Sequence, residues 1–349
     1  MYYFDHAAST PVLPCAVTAF LRAPRGNPDS THAMGRQAKE SLEESRAIIA
    51  ECINAKPEEI YFCSGGTEAN NLVIQTMLKH GPALYSASSH ASVWNIPLYR
   101  IDRPESGISV PYINNETGEI LSMKRIAEDK AAYPLLHLDG VAAVGQYDVN
   151  VDRLSCDYLT ASGHKFGAPQ GIGFIYAKKN VPICPMFYGG KQEKGIRPGT
   201  PSVALAAAMA AALQYRTEHM YEAWQQMRNI NEFIRGRVQC MSGGHIPAAD
   251  LQWKTAAHIL SVRFDGVPSA QLLPLLDAQG VCCSAGSACS AGSRTPSRVL
   301  LASGLSEKEA LETVRISICP ETTQHDAEIL LSALKNAVEK LRKILPRAR

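Results

Sequence analysis

Short apolar runs alternate with amphipathic stretches from about Gly35 to about Lys178, and the period of the apolar positions separates the two kinds. The spacing predicts helices over 36–53, 67–79 and 122–132, and strands over 59–63, 83–87, 135–139 and 156–161. That alternation predicts an α/β fold with a mainly parallel sheet and helices on both faces. An alanine-rich helix from Val203 to about Arg216 leads out of this region, and 219–239 reads as a second helical stretch. The run Ala257–Phe264, a helix after Pro268, a strand before Ser284 and a strand over 313–318 predict a smaller α+β domain, which the N-terminal strand is expected to join. A last helix from about Gln324 to Leu345 carries Ile329, Leu330, Leu334, Val338, Leu341 and Leu345 at helical spacing, a core-packing face. The expected division is a large domain over 15–230 and a small one formed by 1–14 and 231–349.

The candidate chemistry sits where these runs end. Lys165, in Ser162-Gly163-His164-Lys165-Phe166-Gly167, follows the apolar Tyr158–Ala161 run at a strand end entering a turn. Buried in a cleft, its amine would lose its proton readily and become a nucleophile; the alternative is one more solvated Lys among 35 basic residues. Asp139 closes the run from Pro134 at the carboxyl edge of a parallel strand, the edge where open α/β sheets bind ligands. A carboxylate there can hold a protonated pyridine nitrogen, or it can cap a turn. Residues Glu59 to Asn71 read as strand, glycine turn and helix start. Gly65 and Gly66 lack Cβ atoms, so an anion could approach the free N–H groups there, with the Thr67 hydroxyl adding a donor; an ordinary capped helix fits the segment equally well. No Gly-Lys-Ser/Thr follows, which excludes a nucleotide P-loop. Cys289 lies in a segment, 284–293, made only of Ser, Ala, Gly and Cys. Such a composition packs few side chains and leaves the backbone free, so it describes either a thiol that swings or a linker with an incidental cysteine.

These strings occur in one order with Tyr3–Pro11, Gly26–His32, Asn114–Gly118, Arg197-Pro198-Gly199-Thr200 and Val314-Arg315-Ile316-Ser317. In that order the chain resembles the class V pyridoxal-phosphate enzymes, and within them the cysteine desulfurases of the NifS and IscS type. The resemblance implies a fold type I transferase with a seven-stranded sheet, a homodimer, and conversion of L-cysteine to L-alanine with the sulfur left on Cys289 as a persulfide. That sulfur would go to an acceptor protein for iron–sulfur assembly or other thio-modification. Lys165 would carry pyridoxal 5'-phosphate, His90 would stack on its ring and handle protons, and Asp139 would pair with its nitrogen. Gly66, Thr67, Ser162 and His164 would hold the phosphate, with Thr200 supplied across the dimer interface. Asn115 would stand near cofactor and substrate, and Arg315 would clamp the substrate carboxylate. One departure stands out: the family usually has Gln three positions after the pyridine-pairing Asp, and here that position is Ala142. Another class V lyase or aminotransferase, such as a selenocysteine lyase, or a weakly active sulfur-relay subunit, would keep the same cofactor residues.

Composition sets outer bounds. With 349 residues the chain is long enough for two domains, and a formal charge of +2 points to no particular partner. The basic residues near the end, Arg342-Lys343 and Arg347 to Arg349, read as a solvated terminus and not a nucleic-acid arm. Ten cysteines without a signal peptide predict a reducing, cytoplasmic setting, and no apolar stretch is long enough for a bilayer. No Cys-x-x-Cys pair occurs, so no metal site is expected.

Overall fold

A computed structural model describes residues 1–97, 106–247, 255–286 and 295–344. The chain divides into two units, one of Pro11–Ile113 and Leu121–Met220, the other of Met1–Thr10, Asn114–Ile120 and Tyr221–Arg349. After a two-residue strand, β1 (Tyr2–Tyr3), the chain enters the first of these. Its elements are α1 (Pro14–Arg22), α2 (Ala33–Cys52), β2 (Ile60–Cys63), α3 (Gly66–His80), β3 (Ala83–Tyr85), α4 (Ala91–Trp94), β4 (Gly107–Pro111), α5 (Met123–Ala132), β5 (Leu135–Asp139), α6 (Val151–Leu154), β6 (Tyr158–Ser162), β7 (Gly173–Ala177) and α7 (Val203–Glu218). Pro14 opens α1 at a position whose N–H would have no helical partner anyway. His32 caps α2 by accepting the Gly35 N–H at 3.2 Å.

Six strands pair in the order β2-β7-β6-β5-β4-β3 among the described residues, against the seven expected. β3, β4, β5 and β6 run parallel, and β7 is antiparallel to both β6 and β2, so the sheet is mainly parallel with a reversed strand near one edge. Every residue of β6 and β7 is buried, Thr160 and Ser162 of β6 included, which is why neither strand alternates between a core face and a solvent face. Leu72, Val73, Ile74 and Met77 of α3 pack against this sheet with Tyr158 and Ile175.

A buried ion pair ties a loop to this unit. Arg46 of α2 donates from Nη1 and Nη2 to Glu193 at 2.8 and 2.7 Å, and Glu193 also accepts the Phe62 N–H at 2.8 Å. Glu193 and the next residue, Lys194, both sit in the left-handed region, at φ +46° and +57°. For two consecutive non-glycine residues that conformation costs about 1–2 kcal/mol each, which the three hydrogen bonds at Glu193 offset. The segment leading to Arg197–Thr200 is therefore fixed to α2 and β2.

In the other unit the chain forms α8 (Met220–Gln239), β8 (Gly244–His245), β9 (Ile259–Phe264), α9 (Ser269–Asp277), β10 (Val281–Cys282), α10 (Arg298–Ala302), α11 (Glu307–Leu311), β11 (Thr313–Ser317) and α12 (Gln324–Ile344). β11, β9 and β8 make an antiparallel sheet. β1 adds in parallel to β10, and Asp5 bridges Ser317. Glu119 bridges Thr255, so the mid-chain segment 114–120 is held here too. Leu330, Leu334, Ala337 and Leu341 of α12 are buried, with Leu260, Phe264, Leu272 and Val314 in the same cluster; the apolar stripe of the last helix is core. Among the described residues, no helix is long and apolar enough to cross a membrane.

Candidate active site

In the unit that holds the six-stranded sheet, the candidate groups gather at the carboxyl ends of β5 and β6. Asp139 is the last residue of β5 and stands beside Thr160 of β6 in register. Two residues later β6 ends at Ser162, and the chain turns through a single 3₁₀ turn, Gly163–Lys165. β2, on the far side of β7 from β6, delivers the glycine turn: Gly65 takes φ +150°, and a Cβ on it would lie 3.3 Å from Ser162 Oγ. Gly66 starts α3 so close to the loop after β5 that a Cβ would come within 2.7 Å of Val141 Cγ2. No side chain caps α3, and Thr67 in its first turn is exposed.

Each polar group is oriented by neighbours. Asp139 is buried; its Oδ1 accepts the Val141 N–H at 3.0 Å and its Oδ2 accepts Asn70 Nδ2 at 2.9 Å, and no ion pair to it occurs among the described residues. The turn bearing Lys165, which is half-buried, is pinned by Gln146, whose Nε2 donates to the Lys165 carbonyl at 2.8 Å. Burial, with the neighbouring charge of Lys165, pushes the His164 pKa down to about 4, so at neutral pH it is an uncharged hydrogen-bonding ring. His90 caps α4, its Nδ1 accepting the Ser92 N–H at 3.1 Å. Arg197, at the start of the Arg-Pro-Gly-Thr string, binds Glu68 of α3 at 2.9 Å, and Glu68 also accepts the Ser64 N–H. Burial raises the Glu68 pKa, but the bonds from Arg197 and Ser64 outweigh it and hold the carboxyl below its ordinary range. Thr200 follows on an exposed stretch.

Asn115 and Arg315 belong to the other unit. The Asn114 side chain accepts the N–H groups of Glu116 and Thr117, and Gly118 at φ +72° completes the turn, where a Cβ would meet Ile259 O at 2.9 Å. This shapes the Asn-Asn-Glu-Thr-Gly string. Arg315, 2 % exposed, donates Nη1 to the Asn115 carbonyl at 2.8 Å and Nη2 to Asp5 at 2.9 Å, while its Nε has no partner among the described residues. Its guanidinium thus already holds one carboxylate. Cys289 lies outside the described residues. The residues on either side of that stretch, Gly286 and Ser297, come together at Glu116, whose Oε2 accepts Ser297 Oγ at 2.5 Å. Three other cysteines contrast with a reactive thiol: burial pushes Cys63 and Cys156 up to about 12 and Cys319 to about 11.

Sequence reasoning passed over Asn70, Ser92, His137, Thr160 and Gln146. Their signal was faint: His137 and Thr160 are polar residues inside apolar strand runs, each 0 % exposed, and such residues need hydrogen-bond partners.

The aminotransferase class-V family signature matches residues 2–103 and 100–330. Among curated proteins, the IscS-like cysteine desulfurase of Mycobacterium tuberculosis is 31 % identical, covering 98 % of each chain. The cysteine desulfurase IscS of Dictyoglomus turgidum is 32 % identical over 99 % of this chain and 96 % of its own. Of solved structures, a NifS-like protein from Rickettsia africae superposes with a TM-score of 0.88 at 27 % identity, covering 97 % of this chain and 99 % of that one. The structure titled SspA in complex with cysteine gives 0.77 at 28 % identity, over 93 % and 100 %. With the signature, the relatives and the fold in agreement over nearly the whole length, the chain belongs to the class-V aminotransferase family.

Proposed function

We propose that the chain is a pyridoxal-phosphate-dependent cysteine desulfurase that converts L-cysteine to L-alanine and keeps the sulfur as a persulfide on Cys289. The observation that carries the reading is the meeting, at the ends of β5 and β6, of a buried carboxylate, a lysine and a helix N-terminus without a side-chain cap. These residues fit the cofactor chemically. The first turn of α3, approached closely at Gly66, with Thr67, Ser162 and uncharged His164, makes a phosphate cradle. Asp139, already oriented by two N–H donors, is the partner for a pyridine N–H. Pyridoxal phosphate, when bound, supplies an aldehyde for the Lys165 amine and a ring that draws electrons from a bound amino acid.

The chain's own residues do the rest. Lys165 Nζ would hold the cofactor by its aldehyde, and the same amine is the base that would move the proton at Cα of L-cysteine. His90 would stand against the cofactor ring and would handle the proton of the incoming thiol. Asn115 and Arg315 receive the substrate, Arg315 by its carboxylate. The Cys289 thiolate attacks the substrate sulfur, an S–S bond forming as the C–S bond breaks, and proton return to carbon completes L-alanine. Thr200, exposed on its own chain, is available to the site of a second copy in a homodimer. An acceptor protein then removes the sulfur in a reducing, cytoplasmic setting.

Alanine and sulfide released from L-cysteine, measured with and without a thiol reductant, test this. Multiple turnovers that need the reductant, and that vanish in Cys289→Ser and in Lys165→Ala, are expected. Undiminished alanine formation by Cys289→Ser overturns the persulfide route in favour of a lyase.

A further inference from the structure

A continuous hydrogen-bond chain runs under the site through five buried polar side chains. Ser109 Oγ lies 2.8 Å from His137 Nδ1, His137 Nε2 lies 3.1 Å from Thr160 Oγ1, and Thr160 Oγ1 donates to Asn70 Oδ1 at 2.5 Å. Asn70 then spends its two amide hydrogens on Asp139 Oδ2 and Ser92 Oγ, each at 2.9 Å. Ser92 Oγ lies 2.9 Å from His90 Nδ1. Asn70 is 1 % exposed, and His137, Thr160 and Ser109 are fully buried, so water does not stand in for the bonds among these four, while Ser92 and His90 are half-buried.

Counting protons gives the chain one direction. The single hydroxyl proton of Thr160 goes to Asn70, so Thr160 must accept from His137 Nε2–H, and His137 Nδ1 accepts from Ser109. That leaves His137 uncharged, in keeping with the burial that pushes its pKa down to about 4. The Asn70 amide cannot turn over, because its oxygen would then face the Asp139 carboxylate and its NH₂ would face the Thr160 proton. Ser92 Oγ, accepting from Asn70, is left with its own proton for His90 Nδ1, which already accepts the Ser92 backbone N–H.

We propose that Asn70 is a positioning residue for two groups at once: it orients the Asp139 carboxylate and, through Ser92, holds neutral His90 with its ring proton on Nε2. His90 therefore presents a donor, and not a lone pair, from its outer nitrogen. This rests on the roles proposed above for Asp139 and His90.

The test reads the ring itself. Full-length chain labelled with ¹⁵N-histidine is recorded with and without pyridoxal phosphate above pH 8, and the His90 signals are identified by their loss in His90→Gln. The wild type is expected in the Nε2–H form. Asn70→Asp keeps the shape and the bond from Thr160 but has no hydrogens for Asp139 or Ser92, so the Nδ1–H form should rise about fivefold, the equilibrium worth of one hydrogen bond. Its pyridoxal phosphate retention should fall about tenfold or more, since a charged acceptor loses its donor and gains a like charge. Ser92→Ala, which leaves the Asn70–Asp139 bond in place, should shift the tautomer alone and covers the case in which Asn70→Asp fails to fold. An Nδ1–H wild type, or a tautomer unmoved in both variants, overturns the proposal. Because the tautomer is read in the chain without cofactor too, a wild type that neither retains pyridoxal phosphate nor desulfurates cysteine would sink the functional reading while leaving this result standing.

Discussion

Replacing Glu193 by Gln probes the strongest anchor outside the candidate site. Glu193 and Arg46 have side chains only 3 % and 8 % exposed, and Glu193 receives three N–H groups, two from Arg46 and one from Phe62. A neutral amide offers one oxygen in place of two and turns an NH₂ group toward a donor. Arg46 keeps Glu43 at 3.1 Å, half in solvent, as its remaining charge partner. Breaking a buried pair costs about 3–5 kcal/mol, and the surviving Glu43 contact places this case near 3. For a unit of about 200 residues, 3 kcal/mol lowers the thermal midpoint by about 6–12 °C. Calorimetry at neutral pH reads that shift, and Arg46→Met/Glu193→Gln should lose less than its two single variants added together, because no uncompensated buried charge remains. The local consequence is separable: with the anchor gone, trypsin should cut faster after Lys194. A midpoint within about 1 °C of wild type, or costs that simply add, would refute the account of this pair.

Two further outcomes follow from the same physical reasoning. Burial, only partly opposed by the Asp139 charge, puts the His137 pKa at about 4 against an ordinary value of 6.5; between those values the unfolded chain gains a proton that the native state refuses. Stability should fall on acidification across that window by about 3 kcal/mol from this residue, and plotting the thermal midpoint against pH should give a shallower slope for His137→Gln; parallel curves would contradict it. Gly66→Ala should loosen pyridoxal phosphate retention several-fold because the new methyl meets Val141 Cγ2 at 2.7 Å, and Val141→Ala in the same chain should restore it, as equilibrium dialysis can show.

Much of the fold is legible in the apolar pattern because most elements are long or wholly buried. The helix expected over 67–79 spans Gly66–His80, the strand over 135–139 has those bounds, and the alanine-rich helix runs Val203–Glu218. β4 escaped notice because Gly107 and Pro111 bracket only three residues, which resemble a loop. α1 was hidden for another reason: Leu21 and Phe20 are exposed on it, 75 % and 41 %, so its apolar residues do not mark one buried face. In the site, strand-end position made Asp139 and Lys165 visible, and the glycine pair marked the close approach of α3 to Val141 and Ser162. Asn70, Ser92 and Thr160 stayed hidden because their partners lie 22 to 90 positions away, a relation that no local period encodes.

The pairing of β1 with β10 has a consequence for how the polypeptide is made. Tyr2 leaves the ribosome well before its neighbour across the ladder, Val281, which is added some 280 residues later. At about 5–20 residues per second, roughly 15–60 s separate the two. Throughout that interval the leading strand has no mate, while the segment through Met220 has everything its own sheet requires. Assembly of the unit containing Arg315 is thus deferred until translation has passed Val281, and a product terminated before that point would leave the ladder unmade.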